Sequence, residues 1–237
     1  RSQCASVTEN YHMFQNIFIF FMQSCAVGAA VLLGLFRGQT ALHGLLSLFV
    51  VLANIFVRKQ ILLFGLEATA SDALAIGVTL TLNLIQEYYG KKAARRALID
   101  SFLYAATAAL LAHIHLAYIA SHHDSCQRHF EAILGANARI VGASIISFLI
   151  SNWCDYRIFG FLRQRCNQLP LFIRSGISIG ASHALDTILF GFLGLYGLVN
   201  NLGEILLVSY LIKCASLAAI TPFIMLSKRF ISSRIKI

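Results

Sequence analysis

Long apolar runs separated by short polar loops form most of this chain of 237 residues. Seven runs approach or reach the roughly 20 residues that a helix needs to cross a bilayer. The short alternating segments that are typical of a membrane barrel are not seen. The sequence therefore predicts an all-α, polytopic helical membrane protein with about six to seven transmembrane helices in a single bundle. The predicted spans cover residues 13–36, 41–57, 70–88, 101–120, 140–162, 175–199 and 205–227.

Composition supports an integral membrane protein whose main partner is the lipid bilayer. Hydrophobic residues make up 58% of the chain and charged residues only 12%, whereas soluble domains carry roughly 25% charged residues. The net charge is +9. Because the basic residues lie mostly in short loops and form no face with interleaved aromatic residues, we expect no nucleic-acid partner.

The distribution of basic residues predicts an orientation. With seven spans, the loops and ends on one side carry twelve Lys and Arg residues, and those on the other side carry five. Loops rich in positive charge stay in the cytoplasm. We therefore expect the N-terminus outside and the C-terminus in the cytoplasm.

One polar pattern occurs twice within the apolar segments. Each copy contains Ser, an amide or imidazole side chain, two spacers and Asp, followed after three further spacers by Phe-Gly-Phe-Leu. On a helix these polar residues share one face. An ionisable residue inside a membrane span is costly and marks a candidate functional site. The first copy contains Ser151, Asn152 and Asp155, and the second contains Ser182, His183 and Asp186.

The two copies lie on consecutive spans, which we expect to be antiparallel neighbours. From the helical rise, Asp155 lies about 12 Å and Asp186 about 18 Å from the cytoplasmic edge. The two carboxylates can therefore face one cavity at similar depth. The alternative is a packing role, in which they bond neighbouring helices or pair with Lys213 and Arg157.

Three further charged residues and the uncharged Asn83 are candidates for the same site: Asn83 and Glu87 as substrate contacts, and Lys213 and Arg174 as charge partners or coupling residues. Lys213 lies inside the last span, and a buried ammonium needs a carboxylate partner, for which Asp186 or Asp155 is available. Asn83 and Glu87 share one helix face, although Glu87 is close enough to the edge to reach water or pair with Lys91. Arg174 is the third charged candidate, and we expect it at the cytoplasmic opening of the site.

The motifs of common enzyme classes are not found in the chain. It contains no G-x-x-x-x-G-K-[ST], H-E-x-x-H or G-x-S-x-G. The His-rich loop at 121–139 has irregular spacing that fits no zinc pattern. A two-aspartate membrane protease is disfavoured because neither Asp stands in a Tyr-Asp or Gly-x-Gly-Asp arrangement. We expect a protein that is not an enzyme, with no catalytic residue, metal ligand or cofactor.

At these residues the chain resembles the queuosine precursor transporter family, also called the vitamin uptake transporter family. The resemblance covers about 40–230 and implies a single transmembrane transporter domain over 1–237, with an extra N-terminal helix at about 13–36. Asn83, Asn152 and His183 depart from the family's usual Asp, Gln and Gln. The segments that carry the resemblance are 64–69, 87–97, 138–163, 173–190 and 213–222.

The resemblance implies a carrier of the bacterial inner (plasma) membrane. Its cargo would be a queuosine precursor, a 7-deazaguanine base such as 7-cyano-7-deazaguanine, 7-aminomethyl-7-deazaguanine or queuine, imported for tRNA modification. A carboxylate could accept two parallel hydrogen bonds from this purine-like substrate, and Phe148, Tyr156, Phe159 or Phe190 could stack on it. The alternative is a substrate-capture subunit for a related small vitamin-like molecule, energised by a separate ATPase. The expected protein partners are therefore ATPase subunits or further copies in a homo-oligomer.

Overall fold

Helices dominate the computed structural model, which describes the backbone of residues 2–57, 59–63, 66–135, 138–197 and 202–232. The all-α prediction is confirmed. Residues Gly191–Leu195 form a short π-helix that continues the helix ending at Phe190. The α-helices within the described ranges are α1 (Ser2–Arg37), α2 (Gln39–Phe56), α3 (Asp72–Tyr89), α4 (Lys91–Leu116), α5 (Gln127–Leu134), α6 (Ala138–Arg165), α7 (Leu171–Phe190) and α8 (Leu202–Ser232).

Each predicted span coincides with a long helix, and the short helix α5 lies in the loop between the fourth and fifth spans. Two helices begin well before their predicted spans: α1 begins at Ser2 and not near residue 13, and α4 begins at Lys91 and not near residue 101. The cluster of Lys, Ala and Arg residues there consists of good helix formers, so it extends the helix beyond the apolar run. The predicted end of the sixth span at residue 199 lies outside the described residues.

Five helical segments in the described ranges are long and apolar enough to cross a bilayer. The helices α3 and α6 lie at predicted spans but are not among these five. They carry the polar residues singled out in the sequence, which lower their mean hydropathy. The five segments are Phe14–Arg37, Gln39–Phe56, Lys91–Leu116, Leu171–Gly194 and Ile205–Ser227.

Helix α3 occupies the centre of the bundle and is buried along most of its length. It packs against α1, α2, α4, α6, α7 and α8. Gly77 lets α3 approach α1 and α2 closely, because a Cβ atom there would collide with Val27 and crowd Phe49. Small residues at contacts between membrane helices commonly serve this purpose. Polar side chains on α3 therefore face other helices and not lipid.

A β-hairpin lies between α2 and α3. Strands β1 (Gln60–Leu63) and β2 (Leu66–Thr69) are antiparallel, with Gln60 opposite Thr69. The sequence predicted only helical spans, the second of which ended at residue 57, and no strand in this segment. The observed strands instead pair with each other and contact α1 and α8, so their backbone groups are hydrogen-bonded. We call this the hairpin end of the bundle, and the opposite end, where α3 and α6 end and α7 begins, the basic end.

Candidate functional site

The two copies of the repeated motif face each other across the antiparallel helices α6 and α7. From the first copy, the Ser151 hydroxyl on α6 donates a hydrogen bond to Asp186 Oδ1 on α7, over 3.4 Å. From the second copy, the Ser182 hydroxyl approaches the Asp155 carboxylate on α6. Each serine thus lies close to the aspartate of the other motif. The structure brings the two acidic residues into one polar interior.

Asp155 is fully buried and only partly hydrogen-bonded. The Ser178 hydroxyl donates to its Oδ1 over 2.6 Å and also approaches its backbone oxygen. The amide of Asn83 faces the same carboxylate, but no hydrogen bond with acceptable geometry forms. Among the described residues, neither Asp155 Oδ2 nor either atom of the Asn83 amide has a partner. Buried polar groups are rarely left in this state, so the position suits a ligand or ordered water.

Asp186 is satisfied by a partly buried ion pair. Lys213 Nζ on α8 lies 2.8 Å from Asp186 Oδ2 and also donates to the hydroxyl of Thr187 over 3.1 Å. Of the two carboxylate partners expected for Lys213, the structure therefore shows Asp186. The two aspartates differ: Asp186 has a cation, whereas Asp155 has hydroxyl and amide neighbours.

In each motif, the amide or imidazole residue that follows the serine forms a hydrogen bond through one of its polar atoms and not through the other. Asn152 donates to the Phe148 carbonyl over 2.8 Å, and His183 Nε2 lies 3.1 Å from the hydroxyl of Thr79. Their other polar atoms, Asn152 Oδ1 and His183 Nδ1, have no partner in the described part of the chain. We call the whole group the interior polar cluster: Thr79, Asn83, Ser151, Asn152, Asp155, Ser178, Ser182, His183, Asp186 and Lys213.

Glu87 lies outside this cluster, in an ion network at the basic end. Arg174 binds its carboxylate through two nitrogens, over 2.8 and 3.2 Å, and Arg163 Nε lies 3.3 Å from the same group. Arg163 also donates to the carbonyls of Gln86 and Glu87, which satisfies groups left open at the end of α3. The network joins α3, α6 and α7. Arg163, a partner that the sequence analysis did not consider, contributes to it together with Arg174.

Asp72, which the sequence analysis passed over, adds a carboxylate at the hairpin end. It is the first residue of α3 and only 5% exposed. Its carboxylate interacts with Thr69 and lies within electrostatic range of Lys213 and Asp186. An acidic residue in the first turn of a helix is an ordinary start signal. Only the placement of α8 beside α3 reveals its proximity to Lys213.

The aromatic side chains expected to stack on a flat ligand are separated in the structure. Phe159 is buried and lies under the guanidinium of Arg174, 5.8 Å from the ring centre. Phe148 and Phe190 instead line an apolar pocket of about 180 Å³ between α2, α4, α5, α6 and α7. Asn152, a member of the interior polar cluster, donates a hydrogen bond to the carbonyl of Phe148, which precedes it by four residues on α6. The wall of this pocket therefore lies one helical turn from the cluster.

Among the described residues, no group of three or more His, Cys, Asp or Glu side chains is placed to hold a metal ion. The chemistry available is hydrogen bonding and charge pairing inside a helical bundle. These features define a multi-pass membrane protein with a buried polar site, the general form of a small-molecule carrier.

Comparisons with known proteins identify the family. The chain belongs to the family described as "Putative vitamin uptake transporter", whose model matches residues 69–227. A protein of Bacillus subtilis (strain 168), described as "Probable queuosine precursor transporter", is 28% identical over 229 residues, which cover 92% of this chain and 97% of that protein. No solved structure matches the chain significantly.

The ion network at the basic end predicts a stability difference between two arginine variants. Arg174→Met removes the buried partner of Glu87, and breaking a buried ion pair costs about 3–5 kcal/mol. We expect the thermal unfolding midpoint of the detergent-purified protein to fall by several degrees. The control, Arg165→Met, removes an exposed charge at the end of α6 and should change the midpoint little. Equal shifts in the two variants would contradict a stabilising role for the network.

Proposed function

We propose that this protein imports queuosine precursors across the bacterial inner (plasma) membrane for tRNA modification. The cargo would be 7-deazaguanine bases such as 7-cyano-7-deazaguanine, 7-aminomethyl-7-deazaguanine or queuine. Membership of a transporter family and the description of the Bacillus subtilis relative support this proposal. The observation that carries it is the unpartnered Asp155 Oδ2 beside the unpartnered amide of Asn83.

A deazaguanine base fits the chemistry of these open groups. Its ring N–H and neighbouring amino group point the same way, so one carboxylate can accept both as charge-assisted hydrogen bonds. In our proposal that carboxylate is Asp155. Asn83 then donates to the ring carbonyl, while Asn152 and His183 offer their free atoms to the remaining edges. Binding would satisfy groups that are otherwise costly to bury.

Transport requires the buried site to open to each side of the membrane in turn. Asp155 is eight residues from Arg163, about 12 Å along the helix, so the ion network at the basic end would stand between the site and that surface. In this proposal Glu87 and Arg174 close the site at the basic end of the bundle. Lys213 balances charge inside. The residues proposed to contact the substrate are Asn83, Ser151, Asn152, Asp155, Ser182, His183 and Asp186.

Uptake measurements test the assignment of Asp155. In cells that lack their own carrier, Asp155→Asn should reduce uptake of labelled 7-cyano-7-deazaguanine about tenfold or more, because charged hydrogen bonds contribute about 1.5–3 kcal/mol. Asp124→Asn, in an exposed loop, is the matched control and should transport normally. Membrane levels of both variants must equal those of the unaltered protein. Normal uptake by inserted Asp155→Asn would refute the assignment.

The alternative is a capture subunit for a related small molecule, driven by a separate ATPase. Purified protein in liposomes distinguishes the two mechanisms. A carrier that works alone should accumulate or exchange 7-cyano-7-deazaguanine without nucleotide. If transport requires both an added ATPase and ATP, the capture mechanism replaces our proposal.

The proposed orientation places the N-terminus outside, the C-terminus in the cytoplasm and the basic end of the bundle on the cytoplasmic side. Cys126 lies exposed in the loop before α5, which would then face outward. A membrane-impermeant maleimide should label intact cells, and Cys126→Ser should remove part of that labelling. Labelling of Cys126 only after the cells are permeabilised would reverse the orientation.

A further inference from the structure

We propose that Asp72 is a second counter-ion for Lys213, which receives the ammonium group when substrate occupies the Asp186 carboxylate. This inference rests on the proposed function, because it assumes that Asp186 contacts the substrate. It gives a role to a buried acidic residue that lies outside the repeated motifs.

Lys213 bonds one carboxylate, that of Asp186 on α7, and lies within electrostatic range of a second, that of Asp72 on α3. Helix α8 packs against both α7, which carries Asp186, and α3, which begins at Asp72. The ammonium group bonds Asp186 directly, over 2.8 Å. It also interacts electrostatically with Asp72. Both Lys213 and Asp72 are more than nine-tenths buried, so water screens this interaction only weakly.

The bonds around the two carboxylates permit an exchange. Apart from Lys213, the donor to Asp186 among the described residues is the Ser151 hydroxyl, at the long distance of 3.4 Å, so a substrate N–H group could replace the lysine there. Asp72 is held by Thr69, whose hydroxyl is also within 3.1 Å of Ser71. If Lys213 approaches Asp72 and displaces the Thr69 hydroxyl, that hydroxyl can still form its hydrogen bond with Ser71. The flexible four-carbon stem of lysine suits such a movement.

Without a second carboxylate, binding at Asp186 would leave a buried ammonium group unpaired. Removing one member of a buried ion pair is strongly destabilising because the other charge remains in a poorly solvating environment. Asp72 avoids this outcome, since Lys213 keeps a partner in both the empty and the occupied protein. The exchange also couples binding to a contact between α3 and α8 at the hairpin end. Substrate binding would thereby change how these two helices are joined.

The simpler role for Asp72 is to stabilise the N-terminus of α3 through the helix dipole. That role does not involve Lys213, so the two interpretations make different predictions. If Asp72 acts only on the helix, Asp72→Asn should have the same effect whether or not residue 213 carries a charge. If Asp72 is a counter-ion, its effect should depend on the lysine.

A thermal unfolding cycle on the detergent-purified full chain tests the counter-ion. We expect Asp72→Asn combined with Asp186→Asn to lower the midpoint by more than the sum of the single variants. In a Lys213→Met background this excess should vanish, and Lys213→Gln provides a second neutral background if the first variant does not insert. Additive shifts with Lys213 present, or an excess that persists without it, would overturn the proposal.

A binding measurement tests the exchange itself, with 7-cyano-7-deazaguanine as the probe. Asp72→Asn should raise its dissociation constant about tenfold or more in the presence of Lys213 and much less in the Lys213→Met background, a coupling typical of residues in contact. An equal change in both backgrounds would overturn the exchange. If the unaltered protein binds no base, the proposed function fails, whereas the unfolding cycle still judges the pairing of Asp72 with Lys213.

Discussion

A carboxylate inside a membrane protein must be paired, hydrogen-bonded or bound to a ligand, because its transfer from water is otherwise very costly. The rest of this structure depends on how that requirement is met. Asp186 meets it with Lys213. Asp155 meets it only in part, through Ser178, and keeps one oxygen open beside Asn83. Asp186 therefore already has a cation as its partner, whereas Asp155 has an oxygen that is open to a ligand in the structure as it stands.

The same requirement explains the arrangement of the helices. The polar helices α3 and α6 cannot present their functional faces to lipid, so these faces turn toward other helices. Lipid-facing surface comes from apolar helices such as α1 and α4, where Phe14, Leu103 and Leu110 are exposed. Arg163 and Arg174 fasten α3 to α6 and α7 at one end. The polar interior is thereby enclosed by helices whose outer surfaces suit a bilayer.

The sequence was informative where a single helix, or two consecutive helices, determine the outcome. Apolar length predicted the spans, and a repeat at helical spacing predicted that Asp155 and Asp186 belong together. It was less informative where a contact joins distant segments. The pairing of Glu87 with Arg163 and Arg174, and the approach of Asp72 to Lys213, depend on which helices pack together. The hairpin was missed because four-residue apolar strands resemble the end of a span.

The central claim is that the open groups around Asp155 bind a base with the hydrogen-bonding edge of guanine. The most direct measurement is the shift in thermal unfolding midpoint of the purified protein with a panel of bases, since a ligand stabilises the state that binds it. Queuine and the cyano and aminomethyl deazaguanines should raise the midpoint of the unaltered protein but not that of Asp155→Asn. Adenine, which lacks the paired donors, should leave it unchanged. Equal shifts with adenine, or an undiminished shift in the Asp155→Asn variant, would contradict the account.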